Sequence, residues 1–240
     1  MKHFFQLLGI ISIASLLLTS CEKLEGKGPV VAQDRVYSGF DAVSISISGK
    51  VIHRVGNNFS LRIHAQQNIL DIIQTRMEGD ELIIKFKDGK NIRSHKEILV
   101  EIVSPVLKRI SLAGSADMEL QDDLDQSELL MSLSGSGNIN VAGHVNLNGQ
   151  LRASLSGSGN ITVAGGIADD TWLRIAGSGN IHTDAVTCNS SYAEITGSGN
   201  IRVHATQSLD VRIQGSGSVF YRGTPQITSS VTGSGKLMPI

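Results

Sequence analysis

The tripeptide Gly-Ser-Gly recurs through the second half of this chain at intervals of 18 to 22 residues. Four of the six copies continue with Asn-Ile, and Gly114-Ser115-Ala116 is a degenerate copy 21 residues before the first. A period of this length is typical of repeat proteins, in which each unit buries its apolar side against its neighbours rather than alone. The chain is therefore predicted to stack copies of one unit. The copies begin at Gly135, Gly157, Gly177, Gly197, Gly215 and Gly233.

Apolar and polar residues alternate on both sides of each Gly-Ser-Gly. Around one copy, Leu173, Ile175, Gly177, Gly179 and Ile181 occupy every second position. This period of two is typical of β-strands that bury one face. Each unit is thus a strand, a glycine corner, a second strand and a polar connection. Stacked units predict an all-β fold, a β-solenoid of about seven coils of 18–22 residues, with neighbouring coils about 4.8 Å apart.

The corner residues have predicted structural roles. Their glycines would lie on the inward side of tight bends, where a Cβ would collide with the core or forbid the backbone angles. These structural glycines are Gly135, Gly137, Gly157, Gly159, Gly177, Gly179, Gly197, Gly199, Gly215, Gly217, Gly233 and Gly235. The asparagines that follow four corners would stack at the strand spacing and hydrogen-bond in a ladder; a polar binding ridge is the alternative. The ladder residues are Asn138, Asn160, Asn180 and Asn200.

Residues 35–105 form a section without the tripeptide. Their alternating segments predict strands, and apolar residues at helical spacing over Asn68–Met77, followed by Gly79, predict one short helix. We interpret this section as an atypical, larger coil that caps one end of the solenoid, because an open stack would expose a strand edge. The repeat solenoid itself is assigned to residues 106–240.

The first 20 residues have the pattern of a secretory signal, with a mostly apolar run from Phe4 to Leu18 that is too short to span a bilayer comfortably. Leu18-Thr19-Ser20-Cys21 is similar to the bacterial lipobox, in which the chain is cleaved before the cysteine and the cysteine is acylated. The sequence thus predicts a signal peptide over residues 1–20, a lipid anchor on Cys21 and a solvated tether over residues 21–34. We expect an outer-membrane lipoprotein of the cell envelope that faces the periplasm or the cell surface.

Composition excludes several functional classes. With 21 Lys+Arg against 22 Asp+Glu, the chain lacks the basic excess of a nucleic-acid binder. Two cysteines make neither a disulfide framework nor a four-cysteine zinc site. The histidines are scattered without metal-ligand spacing, and no Gly-x-Ser-x-Gly nucleophile elbow occurs. We therefore expect no metal, no cofactor and no catalysis. We expect Cys188 to be a small apolar strand residue; a reactive thiol or one that pairs between chains is the alternative.

At these residues the chain resembles the head GIN domain family, described as "putative auto-transporter adhesins". The resemblance covers roughly Phe40 to Leu237. It rests on the repeated Gly-Asn-Ile, on Phe40-Asp41 and on Leu107-Lys108-Arg109-Ile110. Together with the lipobox, and with Glu22 placed as in surface-export signals, it is similar to envelope lipoproteins of Bacteroidota. The resemblance implies a β-helix-like fold and an envelope location.

Outward positions that the repeat leaves free carry four arginines, Arg152, Arg174, Arg202 and Arg212. They would form a mildly basic face suited to an acidic glycan or a surface protein; alternatively, they are solvated charges that discourage edge pairing. We expect a non-catalytic envelope lipoprotein that displays a rigid solenoid for adhesion or for binding a ligand such as a glycan. The alternatives are a structural or assembly module without a ligand and a polysaccharide-active enzyme.

Overall fold

The computed structural model of the protein describes residues 23–240. The predicted signal peptide and Cys21 lie outside these residues. The described part is almost entirely strand with one helical turn, so the predicted all-β class is confirmed. None of its helices is long and apolar enough to cross a membrane.

The N-terminal section closes one end of the solenoid by changing from parallel to antiparallel pairing. Its elements are β1 (Lys23–Glu25), β2 (Val30–Arg35), β3 (Ala42–Ser46), β4 (Lys50–Val55), β5 (Ser60–Gln66), α1 (Gln67–Leu70), β6 (Ile73–Glu78), β7 (Glu81–Phe86), β8 (Asn91–Ser94) and β9 (Leu99–Ser104). β7 and β9 pair parallel with β3 and β4. β6 then pairs antiparallel with β7, β5 with β9, and β2 with β5. The outer strands at this end, β2, β5 and β6, are therefore antiparallel to the strands on which they pack.

The predicted β-solenoid follows, with every coil parallel to the next. Its strands are β10 (Arg109–Gly114), β11 (Asp117–Leu120), β12 (Leu124–Gln126), β13 (Leu129–Gly135), β14 (Asn138–Gly157), β15 (Asn160–Gly177), β16 (Asn180–Gly197), β17 (Asn200–Gly215), β18 (Ser218–Arg222), β19 (Gln226–Gly233) and β20 (Lys236–Pro239). The first of them, β10 and β11, pair with β3 and β4. Equivalent residues are in register, so Gly157 pairs with Gly177 and Gly177 with Gly197. The polar connections remain paired between coils, interrupted by register shifts.

The core consists of apolar columns that run along the solenoid axis. One column contains Ile139, Ile161, Ile181, Ile201 and Val219, all fully buried. Burial of such a side chain contributes about 1.5–3 kcal/mol. Because each side chain is covered by the coils above and below it, stability comes from the stack and not from a single coil.

The two glycines of a corner are required for different reasons. Gly177, the first glycine of its corner, has a φ of 145°, a conformation that L side chains rarely adopt. Gly179, the second, has no positive φ, but a Cβ there would collide with the carbonyl oxygen of Gly159 in the preceding coil. Ser178 between them is exposed, and its backbone N–H donates to the carbonyl of Gly157 at 2.9 Å. The coil spacing therefore leaves no room for a side chain at either glycine.

The asparagine column is a continuous hydrogen-bond ladder. Asn160 Nδ2 donates to Asn138 Oδ1 and Asn180 Nδ2 to Asn160 Oδ1, each at 2.9 Å. Asn200 Nδ2 donates to Asn180 Oδ1 at 3.1 Å. At one end, Asn138 donates to Asp117 Oδ1 at 2.7 Å. The side-chain amides are thus used to hold successive corners together, which leaves few of their groups for a ligand.

The helix is shorter than the predicted span Asn68–Met77. It ends at Leu70, and the following residues form β6 instead. β6 hydrogen-bonds along the whole length of β7, which would otherwise be a free edge. Ile73 and Thr75 are β-branched and suit a strand, so the tertiary pairing overrides the helical spacing of the apolar residues.

Residues 21–34, predicted as a solvated tether, contain two strands in their described part, which is a correction to that prediction. β1 pairs parallel with β8, and β2 pairs antiparallel with β5. The cause is the free backbone edge of β5, which β2 satisfies. Arg35 fixes the end of β2, because its guanidinium donates to the carbonyls of Ile73 at 2.8 Å and Leu70 at 3.1 Å.

Candidate ligand-binding face

One side of the solenoid carries three of the four predicted arginines together with Trp172 and Tyr192. It comprises the outward side chains before the corners of β14–β17, at residues 150–154, 170–174, 190–194 and 208–212, and we call it the front face. The parallel register aligns residues that are distant in the chain. Arg152, Trp172, Tyr192 and Asp210 form one column, and Ser154, Arg174, Glu194 and Arg212 form the next.

Trp172 and Tyr192 form an aromatic stack between two arginines. Their ring planes are 14° apart and their centroids 5.7 Å apart. The guanidinium carbon of Arg152 lies 4.7 Å from the Trp172 ring, and that of Arg212 lies 5.4 Å from the Tyr192 ring. Because the coil order is Arg152, Trp172, Tyr192 and Arg212, each cation covers the ring face that the aromatic pair leaves free. The ring edges, and not the faces, are therefore available to a ligand.

The charges of the front face are balanced. Arg174 Nε lies 3.5 Å from Glu194 Oε2, and Arg212 Nη2 lies 3.9 Å from Asp210 Oδ2. The Tyr192 hydroxyl donates to Glu194 at 3.1 Å, and partial burial together with this carboxylate raises the pKa of Tyr192. The face has no positive excess to attract an acidic glycan. Its charged residues are the cations Arg152, Arg174 and Arg212 and the anions Asp170, Glu194 and Asp210.

An open groove of about 300 Å³ lies beside the aromatic stack. Trp172 and Tyr192 supply its apolar wall, and Asp170, Asp210 and Gln150 supply polar groups around it. An apolar wall with a few polar groups is the usual composition of a small-ligand site. Ionised carboxylates only accept hydrogen bonds, so they suit a ligand that brings hydroxyl donors.

Arg202 lies apart from the other three predicted arginines. It follows the Gly197–Gly199 corner, in the column of His182 and Phe220, with its guanidinium carbon 5.5 Å from the Phe220 ring centroid. Burial and, secondly, the charge of Arg202 lower the pKa of His182. The structure thus brings Arg152, Arg174 and Arg212 together and places Arg202 beyond the corner.

Cys188 is a core residue of β16. Only 1% of it is exposed, and its thiol donates to the carbonyl of His204 at 3.2 Å. Burial raises the pKa of the Cys188 thiol, which keeps it protonated. A reactive cysteine needs the thiolate and access to solvent, and Cys188 has neither.

A surface cleft of about 600 Å³ lies near the capped end between the first coils and β8. Lys90, Arg93 and His95 line it, and Arg93 pairs with Glu25 of β1 at 3.2 Å. β1, which begins two residues after Cys21, pairs with β8 beside this cleft. The front face lies in later coils, away from this end of the solenoid. Over residues 23–240, no cluster of acidic, histidine or cysteine side chains is arranged to hold a metal ion.

The aromatic stack and the groove are not among the sites predicted from the sequence. A signal for them exists: Trp172, the only tryptophan of the chain, and Tyr192 are 20 residues apart at equivalent outward positions. Asp170 and Asp210 stand two residues before Trp172 and two before Arg212. Large aromatics at equivalent outward positions of neighbouring coils predict side chains that stack on each other.

A family model described as "Putative auto-transporter adhesin, head GIN domain" matches residues 39–225. The chain belongs to this family. The family resemblance stated from the repeated Gly-Asn-Ile is thus confirmed, over most of the span predicted for it. No curated protein matches the chain.

Several solved structures similar to this head GIN chain come from Bacteroidota. A "putative adhesin" from Bacteroides fragilis has 25% identity and a TM-score of 0.84, over 90% of this chain and 100% of its own. A "putative lipid binding protein" from Parabacteroides distasonis has 25% identity and a TM-score of 0.77, over 91% and 100%. A "putative adhesin" from Parabacteroides merdae, at 20% identity and a TM-score of 0.71 over 91% and 99%, shares the fold. These likenesses indicate a protein of the cell surface or envelope.

Proposed function

We propose that this head GIN protein is a lipid-anchored envelope protein that binds a glycan with its front face and has no catalytic role. The observation that carries the proposal is the groove beside Trp172 and Tyr192, with Asp170 and Asp210 at its rim. The name "adhesin" carried by the family and by two relatives supports a binding role. A structural or assembly role without a ligand is the alternative.

The charge balance favours a neutral glycan over the acidic one expected from the arginines alone. Asp170 and Asp210 would repel an anionic group in the groove, and Arg212 is paired with Asp210. A neutral sugar brings hydroxyl donors for these carboxylates and C–H groups that contact the ring edges of the apolar wall. We therefore expect binding that changes little with salt, since screening weakens only charge contacts.

Substitutions in the groove test this proposal on the full-length protein purified in mild detergent. On a glycan array, Trp172→Ala and Asp170→Asn are each expected to weaken binding to the best neutral glycan about tenfold or more, a loss of about 1.4 kcal/mol. The neighbouring exposed residue Asp169 lies outside the groove, so Asp169→Asn is the matched control and should bind normally.

Each contrary outcome has a distinct meaning. Binding that falls steeply with salt and with Arg152→Ser would indicate an anionic ligand held by the arginines instead. If no glycan binds the wild-type protein while its melting temperature shows it folded, the structural alternative replaces the proposal.

The lipid anchor has its own test. Cys21→Ala removes the thiol that the lipobox-like segment Leu18–Cys21 presents for acylation. Acyl chains hold a lipoprotein in the membrane, and the variant has no thiol to receive them. It should therefore move from the membrane fraction to the soluble fraction of fractionated cells. A Ser20→Ala variant keeps a small residue before the cysteine and serves as control; retention of Cys21→Ala in membranes would refute the anchor.

A further inference from the structure

The two ends of the solenoid differ in how their edge strands are protected. At the capped end, the edge strand β2 carries Asp34 and Arg35, and the edge strand β6 carries Arg76 and Glu78. Charges on an edge strand are a common protection against pairing with another chain. At the opposite end, the edge strand β20 carries Lys236 and Pro239, but the edge strand β19 has no charged residue and no proline over its eight residues, and all eight are exposed. β19 therefore presents an unprotected row of backbone donors and acceptors.

The inward side of β19 carries Ile227, Ser229 and Val231 and is uncovered. In register with it, Leu209 and Ile213 of β17 are each only 1% exposed. Their β19 counterparts Ile227 and Val231 are 38% and 43% exposed, because no coil among residues 23–240 packs over them. The last described strand, β20, pairs with β18 and ends with the Ile240 N–H donating to the Tyr221 carbonyl. No described segment of the chain therefore covers β19.

We propose that β19 is the docking site for β19 of a second copy of this chain, paired antiparallel about a two-fold axis at Ser229. This register places Ile227 of each copy opposite Val231 of the other on the inward side. Ser229 then faces its own equivalent, and Thr228 faces Ser230 on the outward side. Like-sided residues must face each other in an antiparallel pair, and this register satisfies that rule: two Ile–Val pairs flank the Ser229 pair on the inward side, and hydroxyl pairs lie outside.

A second copy is favoured over continued stacking because the capped end blocks growth of the solenoid. Head-to-tail stacking would place β19 against β2 or β6, whose charges would face an uncharged strand. A two-fold arrangement uses one self-complementary surface and closes at two copies. The inference does not depend on the groove or its ligand.

The two-fold pair would place both capped ends, and with them both β1 strands, at opposite ends of the assembly. With about seven coils of about 4.8 Å each, the ends of one copy are roughly 30 Å or more apart. If Cys21 carries the lipid, as proposed above, the two anchors of a pair point away from each other. The pair would then connect two membranes rather than lie in one, which is homophilic adhesion.

The first experiment measures the mass of the full-length protein in mild detergent by light scattering. Wild type should be a dimer. Val231→Lys puts a charge on the inward side of β19 and should weaken the dimer about tenfold or more, since the lysine would be buried against Ile227 of the partner chain. Val31→Lys, at a position that is 38% exposed on β2, is the matched control and should leave the dimer intact. A monomeric wild type, a dimer that survives Val231→Lys or one lost with Val31→Lys would overturn the proposal.

Crosslinking tests the register without disturbing the strand by a charge. Ser230 lies on the outward side next to the two-fold axis, so a short bismaleimide should join two copies of the Ser230→Cys variant, whereas Cys188 is buried and should not react. Ala32→Cys on β2 should stay uncrosslinked, and its crosslinking in place of Ser230→Cys would contradict the two-fold axis at Ser229. Vesicles that carry the full-length protein should cluster, and those with Val231→Lys should not. Dimers in detergent without clustered vesicles would support the β19 interface but contradict the inference that the dimer bridges two membranes.

Discussion

Replacing Gly177 with valine is expected to lower the free energy of unfolding by about 3–5 kcal/mol. The φ of 145° at this residue is closed to a β-branched side chain, and the added Cβ would lie against the carbonyl oxygen of Gly157. That carbonyl accepts the backbone N–H groups of Ser178 and Gly179, so it cannot move aside without losing them. For a chain of this size the melting temperature should fall by about 10 °C or more.

The neighbouring residue provides a matched control. Ser178 is exposed and has no positive φ, so Ser178→Val at the same corner should change the free energy of unfolding by no more than about 0.5 kcal/mol. Thermal unfolding followed by circular dichroism would compare the two variants. Equal melting temperatures for both would show that the corner backbone is not constrained as the structure has it.

The solenoid could be predicted from the sequence because its local and long-range signals coincide. The alternation around Gly177 defines the strand faces, and the 18–22-residue period places each residue above its equivalent in the next coil. The ladder of Asn160 on Asn138 follows from the same stacking. In such a fold, pairing partners are determined by the repeat itself, so no search over alternative strand orders is needed.

The capping section could not be predicted in the same detail, because it has no repeat. Ile73 and Thr75 belong to a strand only since β7 offers a free edge, and that edge exists only in the folded protein. The antiparallel pairing of β2 with β5 has the same origin. Helical spacing of apolar residues is a local signal, and here a non-local pairing opposes it.

The candidate site shows a different limit. Alternation distinguishes inward from outward positions, so it identifies Arg152 and Arg202 alike as outward. Alternation does not show on which side of the coil an outward residue lies. Arg152 precedes a glycine corner and Arg202 follows one, so the two side chains lie on different sides. Nor does alternation give pairing between side chains: that Arg174 lies near Glu194, and Arg152 over Trp172, follows from the register of neighbouring coils. The net charge of a face is therefore known only once its columns are known.

The free energy of unfolding is expected to fall as the pH is lowered from about 6.5 to 4, and protonation of His53 contributes to this loss. His53 of β4 is 1% exposed, and burial lowers its pKa from 6.5 to about 4, against the weaker opposing effect of Asp122. Ser104 Oγ donates to the Val106 carbonyl at 2.8 Å, so His53 Nε2, 2.9 Å from Ser104 Oγ, acts as the donor in its neutral form. The fold thus holds His53 as a neutral imidazole.

The sign follows from the protons bound in each state. Above pH 6.5 both states are neutral at this residue, so it adds no pH dependence. Between 6.5 and 4 the unfolded chain binds a proton that the folded protein excludes, which lowers the free energy of unfolding by up to about 3 kcal/mol. Below about 4 both states are protonated and the loss is complete. Urea unfolding at a series of pH values should show this loss in wild type and in His144→Leu, whose histidine is exposed. His53→Leu should lack it while the contribution of the carboxylates remains; an unchanged slope in His53→Leu would exclude His53 as the cause.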